Sequence, residues 1–407
     1  MARLSLLAAA ASLAGAGVAM QLNIQDDASI RNSAGLVAKT LFTYHNPDST
    51  VGQFNQPEPW FWWLSGSGWN GLMEYTILTG DTTYHDDILS ALSKNLGDNY
   101  DFAPASQANW EANDDQVYWV YNALTAMEYN FTALPCEASG SDPCANAWVA
   151  IATHAFEDFV SRWNADIGTC NGGLKWQYNP ANAGYTYKNS VTNGGFFQTA
   201  ARLARYTGNQ TFADWATKVW DWSTGVGLVS ADFHVYDGAG DEDNANCSSV
   251  SKDEWSYNVA TYMHGAAHMF AFTDGDKVWE ERVQGLVNAS SSKFFTPSGT
   301  GIMYEQKCEP SSTCTTDQTS FKASLARWMG KTAILVPSVS DTIAGLLKKT
   351  AEGVAASCVG YSNSTCGLKW TTNGFDGQSD FGVELSALEA VQSLLVINGP
   401  DLAVASK

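Results

Sequence analysis

The 407-residue chain is 45% hydrophobic and carries a formal net charge of -20. That apolar fraction is enough for a large folded core, whereas so strong a negative charge is repelled by a phosphate backbone and argues against nucleic-acid binding. Sixteen Trp, sixteen Tyr and eighteen Phe residues exceed what core filling requires, which indicates exposed aromatic platforms.

Residues 1–19 are predicted to be a secretory signal peptide, because Arg3 precedes a short apolar run and small residues 17–19 offer a cleavage site. The run is too short to span a bilayer, and no other stretch approaches its length. Residues 402–407 lack the hydrophobic tail that directs a GPI anchor. We therefore expect a secreted extracellular or cell-wall monomer without a stable membrane span, with residues 20–407 forming one catalytic domain.

Eight cysteines fit an oxidising compartment. The simplest of the 105 possible connectivities joins local neighbours and leaves one long-range bond. Its pairs are Cys136–Cys144, Cys308–Cys314, Cys358–Cys366 and Cys170–Cys247. Five Asn-x-Ser/Thr sequons predict a glycoprotein. They lie at Asn130, Asn209, Asn246, Asn288 and Asn363.

A turn motif recurs at residues 78–84, 206–212 and 272–279. In each copy Gly ends one helix, Asp or Asn caps the next, and an aromatic residue staples the turn. This repeat predicts stacked helical hairpins. Periodic segments between the copies predict twelve helices. Their ranges are 27–44, 68–79, 83–95, 114–129, 145–163, 192–206, 211–223, 254–272, 276–290, 320–335, 339–356 and 383–397.

The predicted loops are asymmetric. Long stretches rich in Trp, Tyr, Asn and Gly precede every even-numbered helix, whereas short turns follow helices two, six and eight. Loops of that length in a compact domain are usually functional. All of them fall at one end of the bundle, where the even-numbered helices present their N-termini. A ring of six helical hairpins, an all-α (α/α)6 barrel, explains both observations.

Two adjacent carboxylates, Asp114 and Asp115, open the fourth predicted helix, with Trp110 and Trp119 on either side. By itself such a pair is typical of helix capping. Its place at the loop-rich end, beside Asn113, favours a sugar-cleaving site, in which one carboxyl transfers a proton and the other attacks or stabilises an oxocarbenium-like centre. Neighbouring carboxyls should lie nearer the roughly 5–5.5 Å of retaining enzymes than the roughly 6.5–9.5 Å of inverting ones. We therefore predict retention through a covalent intermediate.

Aromatic, amide and acidic residues at the same end are candidates for binding sugar. Aromatic rings can stack on a pyranose, amides can bind hydroxyls, and glycines allow close backbone approach. Core packing remains the alternative for the tryptophans before helix two, and helix capping remains the alternative for Asn193. The candidates are Trp62, Trp63, Trp69, Asn70, Trp110, Asn113, Trp176, Tyr178, Asn193, Gly194, Trp255, Tyr257 and Asp380.

Metal and cofactor motifs are absent from the sequence. His264 and His268 are four apart, but Gly265 stands where the zinc-protease motif requires Glu, so we expect packed histidines on an inner helix face. Residues after Asp115 do not continue an aspartate-rich metal motif, and no P-loop or dinucleotide fingerprint occurs. We expect no cofactor and no metal.

The motifs together resemble family 76 glycoside hydrolases, the endo-α-1,6-mannanases that include the fungal Dcw1/Dfg5 cell-wall proteins. The segments that carry the resemblance are Asn113-Asp114-Asp115-Gln116, Trp69-Asn70-Gly71 and residues 192–196. The resemblance spans nearly all of the chain after residue 19. It implies an (α/α)6 barrel and a retaining mechanism, with Asp114 as nucleophile and Asp115 as general acid/base.

The resemblance predicts an endo-acting α-1,6-mannosidase that hydrolyses the α-1,6-mannan backbone of fungal-type cell walls. The first alternative is a transglycosidase that moves GPI-glycan mannose onto wall glucan through the same intermediate. The second is a non-catalytic glycan-binding protein on the same barrel. Fungal members of the Dcw1/Dfg5 branch carry a C-terminal GPI signal, from which residues 402–407 depart.

Overall fold

The computed structural model describes residues 20–134, 147–242, 246–295, 300–359 and 364–399. Twelve α-helices lie within these ranges, as the sequence predicted. The predicted signal peptide, the Cys136–Cys144 pair, the Asn363 sequon and residues 402–407 lie outside the described residues. The helices are α1 (Asp27–Phe42), α2 (Trp62–Thr79), α3 (His85–Lys94), α4 (Asn113–Glu128), α5 (Ala147–Ala165), α6 (Ser190–Thr207), α7 (Gln210–Gly225), α8 (Ser256–Phe272), α9 (Lys277–Phe294), α10 (Phe321–Leu335), α11 (Pro337–Ser357) and α12 (Phe381–Asn398).

The even-numbered helices form a closed inner ring. Each packs against the next, from α2 through α4, α6, α8 and α10 to α12, and α12 packs against α2. The odd-numbered helices lie outside this ring, with α1 against α12, α5 against α4, α7 against α6, α9 against α8 and α11 against α10. The predicted (α/α)6 barrel is therefore confirmed. Inner helices are enclosed on most faces, so their sequences show little of the polar and apolar alternation of surface helices.

Helix α12 illustrates this enclosure. Among the described residues it alone is long and apolar enough to cross a membrane, and 89% of that stretch is buried inside the fold. Its apolar composition is accounted for by its place in the inner ring, where its residues pack against α1, α2, α10 and α11.

The recurrent turn motif ends and starts helices largely as predicted. Gly80 and Gly208 adopt left-handed φ angles of 77° and 70° and end α2 and α6. Asn209 and Asp276 cap α7 and α9 by accepting a hydrogen bond from the backbone two residues on. In the first copy Asp81 makes the same bond to Thr83, although α3 starts later, at His85.

Buried ion pairs fill the barrel towards the C-terminal ends of the inner helices. The Arg202 guanidinium donates to both Glu128 carboxylate oxygens, at 2.7 and 2.8 Å, joining α6 to α4. Two further salt bridges, each with an N–O distance of 2.6 Å, join α10 to its neighbours, one to α12 and the other to α2. Since an unpaired buried charge is costly, these pairs fix which helices face one another. The open space in the barrel is consequently at the other end.

His264 and His268 also lie in this filled interior, at most 2% exposed, with their Nε2 atoms 3.1 Å apart. Burial lowers the pKa of both imidazoles well below the usual value. The prediction of packed inner-face histidines is confirmed.

A small antiparallel sheet, which the sequence did not reveal, lies within the long loops before α6 and α8. It consists of β1 (Tyr187–Asn189), β2 (Gly238–Gly240) and β3 (Ser249–Ser251), in the order β1-β2-β3. Strands of three residues are too short to show a recognisable alternation. The Cys170–Cys247 disulfide joins the same two loops, and the predicted bonds Cys308–Cys314 and Cys358–Cys366 are also present.

Of the predicted sequons, four fall on described residues and their asparagines are exposed. They are Asn130, Asn209, Asn246 and Asn288. Glycosylation remains a prediction.

Candidate active site

A cleft of about 390 Å³ opens at the end of the barrel where the inner helices begin. Its lining residues come from the long loops and first turns before and within α2, α4, α6, α8 and α10. We refer to this space as the main cleft. The residues around it are Phe61, Trp63, Trp110, Asp114, Asp115, Tyr118, Trp176, Gln177, Tyr187, Asn189, Asp237, Trp255, Tyr257, Asp317, Gln318 and Phe321.

Asp114 and Asp115 lie in the first turn of α4, and both side chains line the main cleft. The chain enters this turn through Ala112, which pairs with Gln177 in an isolated antiparallel bridge. The Ala112 backbone N–H donates to Asp115 Oδ2 at 2.7 Å. This contact fixes the direction of the Asp115 side chain, so the two carboxyls converge on one side of the helix start.

Asp114 receives several hydrogen bonds. The Asn189 amide donates to Oδ2 at 3.2 Å, and the Asp115 backbone N–H donates to Oδ1 at 3.1 Å. Hydrogen bonding with Trp176 also stabilises the ionised carboxylate. Burial opposes these bonds and is the larger effect, so the pKa of Asp114 is raised to about 7.

Asp115 has a pKa raised well above its usual value. Burial is the main cause, and the neighbouring carboxyls of Asp114 and Glu111 add to it, against the single backbone bond from Ala112. Asp114 has more donors than Asp115, and the two carboxyls interact strongly. The pair therefore holds a proton near neutral pH, and Asp114, with more donors, is the more readily ionised of the two carboxyls.

Asn189 is the last residue of β1, and α6 begins immediately after it. Pairing of Asn189 with Gly238 holds this residue in the small sheet, which directs its amide at Asp114. Asn189 was not among the site residues predicted from the sequence. Its place directly before an inner helix at the loop-rich end was the available signal.

Replacing Asn189 with Ala should remove one donor from the ionised Asp114. A hydrogen bond to a charged group is worth roughly 1.5–3 kcal/mol, or about one to two pKa units. Losing it raises the pKa of Asp114, so the acid limb of any activity that needs ionised Asp114 should move to higher pH, with roughly tenfold less activity at pH 6. A pH profile of kcat/KM checks this. Asn164→Ala, an exposed change on outer helix α5, is the control, and an unmoved limb in Asn189→Ala would contradict the assigned contact.

Aromatic rings form much of the cleft wall. Trp63 packs against Tyr118 with ring centroids 4.5 Å apart, and Tyr257 stacks on Phe321 at 3.9 Å. Five of the sequence-predicted sugar-binding residues belong to this wall. They are Trp63, Trp110, Trp176, Trp255 and Tyr257.

Trp110 and Trp176 stand at the rim of the main cleft. Trp110 is 79% exposed and Trp176 is 36% exposed, which is unusual for rings of this size. Large exposed aromatic faces beside a cleft are typical of ligand-binding grooves.

Polar residues of the cleft wall were also missed from the sequence. The Tyr187 hydroxyl donates to Asp237 Oδ2 at 2.8 Å, and burial raises the pKa of Asp237. Asp317 and Gln318 contribute from the turn before α10, and Gln177 from the loop before α6. These residues lie in long loops without periodicity, where the sequence gives no indication of which side chains face inwards.

The prediction that Trp69 and Asn70 contact a ligand was wrong. Both are fully buried. The Trp69 indole N–H donates to the Gly52 carbonyl at 2.6 Å, and its ring packs on Phe54 at 4.4 Å. Helix α2 starts at Trp62 rather than at residue 68, so these positions lie two turns inside the inner ring.

The same correction applies to Asn193 and Gly194, which are buried in α6. The Asn193 side chain accepts from the Leu174 N–H at 2.8 Å and donates to the Leu174 carbonyl at 3.0 Å. A Cβ on Gly194 would lie only 2.1 Å from Thr261 Oγ1, so glycine is needed for close packing of α6 on α8. Asn193 anchors the loop that carries Trp176, and neither residue lines the main cleft.

Asn113 and Tyr178 also lie behind the main cleft rather than in its wall. The buried Asn113 donates from its amide to the Lys175 carbonyl at 2.9 Å and from its backbone N–H to the Trp176 carbonyl at 3.0 Å. Arg162 donates to Asn113 Oδ1 at 2.8 Å and stacks over the Tyr178 ring at 4.5 Å. The predicted ligand contact of Asn113 is therefore corrected to positioning of the Trp176 loop.

Of the two remaining candidates, Trp62 lies at a pocket beside the main cleft, whereas Asp380 caps a helix. Trp62 donates from its indole to Asn95 Oδ1 at 2.8 Å, and one part of its ring lines a pocket beside the main cleft. Asp380 is the N-cap of α12, accepting from the Val383 N–H at 2.9 Å and from the Thr319 hydroxyl at 3.0 Å. Its predicted role in ligand binding is corrected to helix capping.

Comparison with known proteins agrees with this architecture. Residues 29–406 match Glycosyl hydrolase family 76. The Mannan endo-1,6-alpha-mannosidase DCW1 of Saccharomyces cerevisiae is 39% identical, over 94% of this chain and 82% of that protein. The Mannan endo-1,6-alpha-mannosidase DFG5 of Candida albicans is 38% identical, over 93% of this chain and 82% of its own length.

Solved structures show the same fold. The crystal structure of Dfg5 from Chaetomium thermophilum in complex with glucosamine superposes with a TM-score of 0.84, at 34% identity and 92% coverage of both chains. The α-1,6-mannanase GH76A of Salegentibacter sp. HEL1_6, determined as an inactive variant with two consecutive aspartates replaced by asparagine and with α-1,6-mannotriose bound, gives 0.71 at 16% identity, covering 90% of this chain and 99% of that one.

Proposed function

The chain belongs to glycosyl hydrolase family 76 and is a glycoside hydrolase, and from this membership we propose that it cleaves α-1,6-mannan backbones of fungal-type cell walls as a retaining, endo-acting enzyme. The observation that carries the proposal is the proton-sharing pair Asp114 and Asp115 at one aromatic-walled cleft. The names of the DCW1 and DFG5 relatives supply the substrate class. Action in the extracellular space or cell wall is part of the proposal.

In the first step, ionised Asp114 attacks the anomeric carbon of the mannose unit, while Asp115 gives its proton to the glycosidic oxygen. The bond to the leaving sugar breaks and an ester to Asp114 forms. The hydrogen-bond donors around Asp114 keep it ionised, and the negative charge beside Asp115 keeps that group protonated.

In the second step the roles of Asp115 reverse. The ester has consumed the charge of Asp114, so the pKa of Asp115 falls and its carboxylate can accept a proton from water. That water attacks the anomeric carbon, the ester bond breaks, and Asp114 is ionised again. Two displacements at the same carbon leave the product in the α configuration.

Transglycosylation is a second candidate, favoured by the pocket that adjoins the main cleft at Asp115. A sugar hydroxyl held there could replace water in the second step. Both reactions use the same ester, so they differ only in which acceptor reaches it.

Purified protein incubated with unbranched α-1,6-mannan should release short α-1,6-mannooligosaccharides, and proton NMR at early times should show newly formed reducing ends in the α configuration. Lengthened or hybrid products would favour transfer. First appearance of the β anomer would contradict retention. Binding of mannan without any turnover would contradict the catalytic proposal. Linear β-1,4-mannan serves as the control polymer and should remain intact.

A further inference from the structure

A second pocket, of about 400 Å³, adjoins the main cleft. Phe61, Trp110 and Asp115 line both spaces, whereas Trp60 and Gln107 line only the second. We call this second space the Trp60 pocket. Trp60 is 62% exposed, so much of its ring is open to solvent beside this pocket.

The two catalytic carboxyls differ in which space they reach. Asp114 lines the main cleft alone, whereas Asp115 lines both the main cleft and the Trp60 pocket. A nucleophile must contact the anomeric carbon, and the proton donor must contact the oxygen of the leaving sugar. Of the two spaces, the Trp60 pocket is the one that the proton donor reaches without the nucleophile, which makes it the candidate place for the leaving sugar.

Glu111 adds a second, independent observation. It lines the Trp60 pocket and is 2% exposed, and its carboxyl interacts with the Tyr178 hydroxyl and the Arg162 guanidinium. Burial raises the pKa of Glu111 to about 8, so it is protonated at neutral pH. The neutral carboxyl of Glu111 can both donate a hydrogen bond and accept one, so it can pair with a sugar hydroxyl in either role.

We propose that the Trp60 pocket is the subsite for the leaving sugar in cleavage and for the acceptor sugar in transfer, with Trp60 stacked on the pyranose ring and Glu111 and Gln107 bonded to its hydroxyls. The proposal rests on the proposed function and specifies one half of its substrate site. In transfer, the acceptor hydroxyl gives its proton to the Asp115 carboxylate and its oxygen bonds to the anomeric carbon. The ester bond to Asp114 breaks, and Asp114 takes the electron pair.

Two substrates separate this subsite from the rest of the cleft. α-1,6-Mannotetraose has a sugar leaving group, whereas α-1,6-mannobiosyl fluoride has a small one that needs neither a subsite nor a proton donor to depart. Trp60→Ala should lower kcat/KM on mannotetraose at least about tenfold and on the fluoride by less than about twofold, because only the former loses a stacked ring. Gln107→Ala and Glu111→Gln should show smaller losses with the same preference.

Matched variants make the comparison specific. Trp63→Ala removes an aromatic ring that lines only the main cleft, so it should lower turnover of both substrates. Phe375→Ala removes an exposed ring that lines neither space and should change neither rate. Because Trp60 is largely exposed, thermal melting should show that Trp60→Ala stays folded.

Acceptor use provides a second readout. With the fluoride as donor and added α-1,6-mannobiose as acceptor, wild type should form tetrasaccharide, and Trp60→Ala should lose that product while still hydrolysing the fluoride. Equal losses on both substrates, or no loss on either, would overturn the subsite assignment. Turnover of neither substrate by wild type would defeat the proposed function and the subsite together, which distinguishes that failure from the other two.

Discussion

Asp114→Asn is expected to lower kcat on α-1,6-mannan by roughly 10³-fold or more, because an amide cannot form the glycosyl ester. The loss should be as large on α-1,6-mannobiosyl fluoride, since every substrate must pass through that ester whatever its leaving group. The side chains are nearly isosteric, and the amide oxygen can still accept one of the two hydrogen bonds that Asp114 receives from Asn189 and the Asp115 backbone N–H. We therefore expect folding and mannotriose affinity to persist, which calorimetry and thermal melting would measure.

Asp86→Asn is the matched control for this variant. Asp86 belongs to another Asp-Asp pair, in the first turn of α3, and its side chain is fully exposed to solvent. Both changes remove one negative charge near a helix start, but only Asp114 faces the main cleft. Asp86→Asn should keep normal turnover. Turnover of Asp114→Asn within about tenfold of wild type would refute its role as nucleophile.

Helix positions were predictable because inner and outer helices alike are separated by glycine turns and by long polar or aromatic loops. The start of α2 was the largest error. Trp62 and Trp63 belong to the helix, but a segment buried on nearly all sides has no polar face to reveal its period. Because of this error, Trp69 was predicted to lie in the cleft wall. In the structure it lies in the core, two turns below the helix start.

The position of the proposed catalytic pair in the main cleft was predictable because Asp114 and Asp115 are adjacent in sequence and open an inner helix. The residues that hydrogen-bond to these two carboxyls were not predictable. Asn189 reaches Asp114 across 75 residues of chain, through a three-residue strand that no local pattern announces. Asn193, in contrast, resembled a ligand residue by its position near a helix start, but its amide is used up by the Leu174 backbone. Local sequence identifies which residues could do chemistry, whereas long-range packing decides which of them face the cleft.

Asp115→Asn should have a different signature from Asp114→Asn. On mannan, loss of the proton donor should lower kcat by roughly 10²–10⁴-fold. Fluoride departs without a donated proton, so formation of the ester from α-1,6-mannobiosyl fluoride should be nearly unaffected. Its breakdown should be slow, because Asp115 also activates the water. The ester should therefore accumulate and be visible by intact-protein mass spectrometry as a mannobiosyl adduct.

Azide and pH complete the test of Asp115. Azide needs no general base, so adding it to Asp115→Asn should restore turnover of the fluoride at least about tenfold and yield the α-mannobiosyl azide.

In wild type, kcat/KM on mannan should fall at low pH as Asp114 is protonated, around its pKa of about 7, and at high pH as Asp115 loses its proton. Asp115→Asn should lose the high-pH limb and keep the low-pH one, because its asparagine has no proton to lose and Asp114 still titrates. A β-azide product, or an unchanged high-pH limb, would show that another group donates the proton to the leaving sugar.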